Sequence, residues 1–176
     1  MTKTITNFHD LIHNRRSIRN YDPDRPVSDE ILHKILEAGR VAPSAANFQP
    51  WKFIVVKSKK FRKKLNQCYH QPWFHDAPAV LVVVGYPDRA WVRKDGFNAI
   101  QIDLTIAMDH MILAAAEEGV GTCWIAAFDE TRLRKALNLQ DNEVVYCITP
   151  LGYPRKGYKK ARGPIRKRME EVVEFR

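Results

Sequence analysis

Residues 97–118 read FNAIQIDLTIAMDHMILAAAEE and decide the fold class of this 176-residue chain. The segment contains no glycine or proline, and its apolar residues follow the period of an α-helix. One apolar stripe of this helix consists of Ile100, Leu104, Ala107, Met111 and Ala115, and further apolar side chains lie off it. A helix that is apolar around most of its circumference must be buried on several sides. We therefore expect it to pack against both its own sheet and a second subunit.

Strands are predicted before and after this helix. Residues 79–85 (AVLVVVG) form a β-branched apolar run, which is typical of a strand covered on both faces. We expect further strands at 52–57, 121–127 and 143–152, and a terminal strand at 171–175. Helices and strands do not alternate regularly, which favours an α+β fold over a doubly wound sheet. We expect residues 1–176 to form a single domain.

Shorter helices complete the predicted secondary structure. Apolar residues at helical spacing predict a first helix that starts near Phe8. Ser28 can cap a second helix, which Gly39 is expected to end or loosen. A basic helix is expected at residues 61–69, and Asp129 can cap a short helix farther along the chain.

The charge of the chain is strongly positive, with 29 basic and 20 acidic residues and a formal net charge of +9. Two stretches hold the excess, 57–64 (KSKKFRKK) and 153–168 (YPRKGYKKARGPIRKR). Such a charge fits a nucleic acid, an anionic membrane or a phosphate-bearing ligand as partner. The first stretch is more typical of a solvated helix face, and no nucleic-acid recognition motif accompanies either stretch. Nucleic-acid binding is therefore the less favoured interpretation, and the stretch 155–162 has no assigned role.

The three cysteines, Cys68, Cys123 and Cys147, are odd in number and widely spaced, and no CxxC pair occurs. This pattern argues against a disulfide scaffold or a zinc thiolate site and favours a reducing, cytoplasmic location. The apolar runs are too short to span a bilayer, so we predict no membrane partner and no export segment. We also predict no metal site, because the HxxxH pair of His9 and His13 lacks the glutamate of a zincin.

Residues 15–19 (RRSIR) form the first candidate binding motif. If helical geometry continues into this motif, Arg15 and Arg19 share a face and repel each other. Guanidinium groups beside the hydroxyl of Ser17 suit a phosphate, which would relieve that repulsion. The alternative is a solvated basic end of the first helix.

Residues 42–51 (APSAANFQPW) form the second candidate motif. Its small side chains allow a flat ligand to approach closely, and the amides of Asn47 and Gln49 offer hydrogen-bond donors and acceptors. Pro, Ser and Asn are also ordinary turn residues, so a turn-rich connector is the alternative. The density of these special residues favours a binding loop.

Taken in order, the motifs resemble the nitroreductase family of FMN-dependent oxidoreductases. RRSIRNY and APSAANFQPW are followed by HDAPAVLVVVG at 75–85 and by EEGVGTCWIAAFDE at 117–130. LGYP at 151–154, a late RKR and then EEVVEF resemble the C-terminal segment of the family. The resemblance covers nearly the whole chain.

The resemblance implies an α+β layered sandwich, with a mainly antiparallel or mixed central sheet flanked by helices, and an intertwined homodimer with two FMN sites at its interface. It implies contacts with the FMN phosphate from Arg15, Arg16, Ser17, Arg19, Arg166 and Arg168. It implies a loop laid against the flavin by the partner subunit, at Pro43, Ser44, Ala45 and Asn47, with Gln49 beside it. The segment flanking the ring matches Ile125, Ala126 and Ala127, and Gln71 is a further candidate for the ring edge.

The implied activity is oxidation of NADH or NADPH by bound FMN, followed by electron transfer to a nitroaromatic, quinone or similar acceptor in a ping-pong sequence. No side chain is required as a nucleophile, so no catalytic residue is assigned. Larger family members often carry Glu-Gly where this chain has Ala126-Ala127, and they carry an insertion that this chain lacks. The alternatives are a flavin carrier or sensor without turnover, a branch specialised in dehalogenation or flavin breakdown, and a basic nucleic-acid-binding protein.

Overall fold

The computed structural model describes residues 7–159 and 163–176, so part of the basic stretch 155–162 lies outside the described residues. Within the described ranges the helices are α1 (Phe8–Asn14), α2 (Asp29–Arg40), α3 (Lys59–Leu65), α4 (Pro72–Asp76), α5 (Ile100–Glu117) and α6 (Glu130–Leu137). The strands are β1 (Trp51–Val56), β2 (Ala79–Gly85) and β3 (Val144–Leu151). Short 3₁₀ helices occupy Ala45–Asn47, Asn66–Cys68, Pro87–Arg89 and Met169–Glu171.

The three strands form an antiparallel sheet in the order β1-β2-β3. Trp51 pairs with Gly85 at one end of the β1–β2 ladder, and Ala79 pairs with Leu151 at the other end of the β2–β3 ladder. Every residue of the central strand β2 is buried, which confirms the prediction of a strand covered on both faces.

The side chains of β2 divide the core into two layers because successive residues point to opposite faces of a sheet. Leu81 and Val83 pack in the cluster that holds α2 and α5. Val80, Val82 and Val84 pack with residues of α3, α4 and α6 on the other face. The result is the predicted layered α+β sandwich, with one helical layer on each side of the sheet.

Helix α5 is the buried helix that the sequence predicts, and it packs against both α2 and the sheet. It starts at Ile100 rather than Phe97, because the side chain of Asn98 accepts the N–H of Ile100 at 2.9 Å and closes the preceding turn. Gly39 does not end or loosen α2, which continues through Arg40. A Cβ at Gly39 would lie 2.6 Å from Sδ of Met111, so this glycine permits the close crossing of α2 and α5.

Three predicted elements differ from the structure. Residues 121–127 form isolated bridges rather than a strand, since the Cys123 N–H donates to the Thr149 hydroxyl instead of to a neighbouring backbone. The basic helix at 61–69 is shifted to Lys59–Leu65, because Ser58 caps it earlier and a 3₁₀ turn follows. The terminal strand at 171–175 is absent from the described chain, because no strand of the same chain pairs with it.

Among the described residues, no helix combines the length and the apolar character that crossing a membrane requires.

Candidate functional site

The arginine motif follows α1 in extended conformation. Arg15 leaves the helix with φ −58° and ψ 133°, and Ser17 pairs with Thr122 as a parallel bridge. The helical arrangement expected for Arg15 and Arg19 is therefore wrong, because the helical period ends at Asn14. Alternate residues of an extended segment share a side, so Arg15, Ser17 and Arg19 still face the same way. Ile18 faces the opposite side and is buried.

Gly121 lets this segment lie directly against the chain after α5. The Ile18 N–H donates to the Thr122 carbonyl at 2.8 Å, and a Cβ at Gly121 would lie 2.9 Å from Cβ of Ile18. Arg15 and Gly121 line a cavity of about 50 Å³ beside the bridge. This volume has room for water molecules only, so a larger ligand here needs further space that opens onto the surface.

Arg16 has a different role from its neighbours. Its guanidinium donates to the carbonyls of His13 and Arg15 at 2.7 and 2.8 Å. Gly163 packs so closely on this group that a Cβ would lie 2.5 Å from Nη2 of Arg16. Arg16 therefore ties the last segment of the chain to the end of α1. Arg15 and Arg19 form no salt bridge within the described ranges, which leaves their charge for a ligand.

Cys123 lies beside the arginine motif. Burial raises the pKa of its thiol, although Arg19 and the hydroxyl of Ser17 offset part of this effect. Burial likewise raises the pKa of Cys68 to about 11 and that of Cys147 to about 12. All three thiols are free and buried, which is consistent with inert core residues and with the predicted lack of a disulfide.

The loop 43–49 is held in an unusual backbone conformation. Ala46, Asn47 and Gln49 have positive φ values of 51°, 58° and 49°. A non-glycine residue in this region costs about 1 kcal/mol or more, and such strain is concentrated at ligand clamps. The Ser44 hydroxyl accepts the Gln49 N–H at 3.0 Å, and Gln49 Nε2 donates to the Asn47 carbonyl at 3.2 Å. The loop is therefore a built structure rather than a simple connector, with Asn47 and Gln49 exposed.

A cleft of about 350 Å³ opens next to this loop. Its walls are largely apolar and comprise Pro43, Ser44, Ala45, Trp91, Arg93, Phe97, Ala99, Ile102, Asp103 and Ile106. The sequence motifs gave no indication of Asp103, Trp91 or Phe97 as site residues. The available signal was that Asp103 is an acidic residue in the first turn of a mostly apolar helix, on its buried side.

The third part of the candidate site is the segment at 125–127. Ile125 is buried and exchanges two hydrogen bonds with Ile148 of β3, at 3.0 and 2.9 Å. The next two residues, Ala126 and Ala127, are exposed, and their N–H groups donate to no acceptor in the described ranges. Thr122 and Ile125 are three residues apart, about 10 Å in an extended chain. The stretch 122–127 thus joins the arginine motif, which it contacts at Thr122, to the N–H groups of Ala126 and Ala127.

The remaining candidates are less closely joined to this stretch. Gln71 is exposed, and its side chain makes no hydrogen bond with the described residues. Arg168 is engaged by Glu170 and Glu171, at 3.9 and 3.4 Å, while Arg166 is exposed and forms no ion pair in the described ranges.

The two halves of the candidate site lie at opposite ends of α5. The cavity at the arginine motif includes Ala116, near the end of the helix, and the cleft at loop 43–49 includes Asp103, near its start. These two positions are about 20 Å apart along the helix axis. One chain therefore does not bring Arg15 together with Pro43, Ser44, Ala45 or Asn47.

Some residues of the two basic stretches form ion pairs or hydrogen bonds with other parts of the chain. Lys57 pairs with Asp29, and Arg155 pairs with Asp76 at 2.9 Å. The expectation of a solvated face is wrong for Arg62, which is buried and donates to the Phe74 carbonyl at 2.6 Å. It holds for the four exposed residues of α3 that carry charge, Lys59, Lys60, Lys63 and Lys64.

Comparison with known proteins agrees with this architecture. A model of the nitroreductase family matches residues 12–70 and 64–153. An Archaeoglobus fulgidus protein, provisionally named NADH dehydrogenase/NAD(P)H nitroreductase, is 36% identical over 156 residues, which cover 82% of this chain and 84% of that protein.

Two solved structures share the fold along almost the entire chain. A nitroreductase family protein from Clostridium difficile 630 superposes with a TM-score of 0.87 at 34% identity and covers 97% of this chain and 98% of its own. An FMN-dependent nitroreductase from Clostridium difficile R20291 has a TM-score of 0.77 at 29% identity, with coverage of 94% and 96%. With its sequence matched from α1 to β3 and its fold shared along almost its entire length, this chain belongs to the nitroreductase family.

Proposed function

We propose that this protein is an FMN-dependent oxidoreductase that uses NADH or NADPH to reduce the flavin and then reduces a nitroaromatic, quinone or similar acceptor in a ping-pong sequence. One observation carries the proposal. The bridge between Ser17 and Thr122 sets a hydroxyl and two arginines, which form no salt bridge in the described chain, on the same short stretch as two backbone N–H groups that have no acceptor there. The similarity to an FMN-dependent nitroreductase supports FMN as the ligand.

The donor set fits the two ends of this cofactor. Guanidinium and hydroxyl groups bind a phosphate with charge-assisted hydrogen bonds, and in this proposal Arg15, Ser17 and Arg19 do so. An extended chain spans about 10 Å from Thr122 to Ile125, which would leave room for the linking chain between phosphate and ring. The N–H groups of Ala126 and Ala127 would then be available to the ring.

When bound, FMN would supply the redox chemistry of hydride transfer from the nicotinamide and electron transfer to the acceptor. The residues of this chain would bind the flavin and orient it. The N–H of Ala127 would donate to the flavin, and the Asn47 amide would polarise it from the loop. Both side chains of the Ala126-Ala127 pair are methyl groups, so this chain places no carboxylate at that position.

A homodimer completes the site in this proposal. The arginine motif and loop 43–49 lie about 20 Å apart in one chain, and a two-fold partner can bring the loop of one subunit to the arginines of the other. Large apolar side chains that remain exposed support such an interface, among them Phe48 (54%), Phe97 (42%) and Ile102 (50%) beside the cleft.

The location in the cell stays a prediction. Three buried thiols without a disulfide support a reducing, cytoplasmic compartment.

FMN binding tests the proposal directly. Purified protein is stripped of bound ligand and then titrated with FMN and, separately, with riboflavin, which lacks the phosphate. We expect quenching of flavin fluorescence and clearly tighter binding of FMN. A protein that binds neither flavin contradicts the proposal. Steeply salt-dependent binding of DNA or RNA without flavin would instead support the nucleic-acid alternative.

A further inference from the structure

Asp103 is a buried carboxylate with an incomplete set of partners. It lies in the first turn of α5 and is 1% exposed. Its Oδ1 accepts the N–H of Ala45 at 2.9 Å. Its Oδ2 is buried and has no hydrogen-bond partner among the described residues. Burying a carboxylate with a single donor is unfavourable for folding, so its presence calls for a local reason.

No nearby cation neutralises this carboxylate within the described ranges. Arg93 lines the same cleft, but its guanidinium is engaged by Asp95 through hydrogen bonds of 2.8 to 3.0 Å. The Ala45 N–H is therefore the group that Asp103 holds, at 2.9 Å.

The bond to Asp103 is also the loop's connection to a distant element. The other hydrogen bonds of residues 43–49 in the described structure close the loop on itself or on its immediate neighbours, such as the 2.9 Å bond from the Asn47 N–H to the Ser44 carbonyl. Bonds within the loop fix its shape but not its place on the protein. Asp103 fixes the place, at the start of the strained turn that presents Asn47.

We propose that Asp103 is a positioning residue, which anchors Ala45 so that loop 43–49 presents its polar groups to the flavin bound by the partner subunit. This inference rests on the proposed function. It assigns Asp103 no contact with substrate or flavin, and its effect passes through the backbone of Ala45.

Two substitutions remove the anchoring bond from opposite sides. Asp103→Ala deletes the acceptor. Ala45→Pro deletes the donor and keeps the carboxylate, and the extended backbone of Ser44 (φ −136°, ψ 158°) is compatible with a following proline. Asp103→Asn keeps a carbonyl oxygen that can accept the bond. Glu143→Ala is the matched control, because Glu143 is also a buried carboxylate but pairs with Lys52.

The readouts are the Kd for FMN, the visible circular dichroism of the bound flavin and the KM for a quinone acceptor. We expect Asp103→Ala and Ala45→Pro to weaken FMN binding about tenfold or more, to raise the KM for the quinone and to change the dichroism in the same way. Asp103→Asn should retain the FMN affinity, the KM and the dichroism of the unaltered protein. Glu143→Ala should lower the melting temperature and leave the dichroism and the KM unchanged.

The proposal is overturned if Asp103→Ala and Ala45→Pro bind FMN as the unaltered protein does. It is equally overturned if Asp103→Asn fails to restore binding, or if Glu143→Ala reproduces the dichroism and KM changes, because either result assigns the effect to charge or to general stability. If Asp103→Ala does not fold, Ala45→Pro and Asp103→Asn decide the question. Failure of the unaltered protein to bind FMN would contradict the proposed function instead.

Discussion

The N–H of Ile18 donates to the carbonyl of Thr122 at 2.8 Å, and this contact joins the two parts of the chain that the proposed phosphate site requires. On one side of the bond, Ser17 lies between Arg15 and Arg19 along the chain, and neither arginine has a salt-bridge partner among the described residues. On the other side, the chain continues to the exposed amides of Ala126 and Ala127.

Removing an arginine tests the phosphate contact. We expect Arg15→Ala, and separately Arg166→Ala, to weaken FMN binding about tenfold or more, because a hydrogen bond to a charged group contributes roughly 1.5–3 kcal/mol. Riboflavin carries no phosphate, so its affinity should stay unchanged. Fluorescence titration measures both ligands, and Lys63→Ala on exposed α3 removes the same charge as a control. Unchanged FMN affinity in both arginine variants would contradict the assignment.

Adding a methyl group at either glycine of the Gly121–Gly152 bridge tests the close packing around the site. A Cβ at Gly121 would lie 2.9 Å from Ile18, and one at Gly152 would lie 2.6 Å from the ring of Pro78. Overpacking of this kind costs about 1–3 kcal/mol, so urea denaturation should show both alanine variants destabilised. FMN binding should weaken more in Gly121→Ala than in Gly152→Ala, because the displaced Ile18 directly follows Ser17, a proposed phosphate ligand. Equal FMN affinity in the two variants, after correction for the folded fraction, would argue against that link.

The acid stability of the fold should depend on Glu143. Burial alone would raise the pKa of this carboxyl, but Lys52 and the Gln140 N–H outweigh burial and lower it. A lowered pKa in the folded state stabilises the protein above the unfolded value, about 4.3, and this contribution is lost as the pH falls towards the folded value. We expect Glu143→Gln to flatten the decrease in unfolding free energy between neutral and acidic pH. An unchanged pH profile would show that the pair contributes nothing.

Mixed dimers test whether the loop acts on the partner subunit. Arg15→Ala and Asp103→Ala chains are co-expressed with different tags, and dimers that carry both tags are isolated. If the loop acts across the interface, one site of each mixed dimer combines both defects and the other combines none. Half of the sites should then bind FMN with the affinity of the unaltered protein. If the loop acts within its own chain, both sites are defective and no tight binding returns.

The sequence predicted the elements whose signals are local. The apolar run of β2 and the apolar circumference of α5 led to the correct layers, because burial on both faces leaves a continuous apolar pattern. Ser28 and Asp129 were correctly predicted as helix caps, since a cap needs only its own next turn. The order of the motifs along the chain added the resemblance to the family.

Other features depend on distant contacts that a local pattern does not reveal. Gly39 looked like a helix end, but its role is set by Met111, which is distant in sequence. Arg62 looked like part of a solvated face, but the Phe74 carbonyl holds its guanidinium in the interior. Asp103 gave a weak signal as an acid in an apolar helix, and only the structure brings Ala45 to it.

Anaerobic titration of the FMN-loaded protein with NADH and with NADPH tests the central claim most directly. We predict that at least one nicotinamide bleaches the visible absorbance of the bound flavin. After the nicotinamide is removed, a nitroaromatic or quinone acceptor should restore the absorbance, as a ping-pong sequence requires. Flavin that stays oxidised with both nicotinamides would contradict the claim and would leave a flavin carrier or sensor as the function.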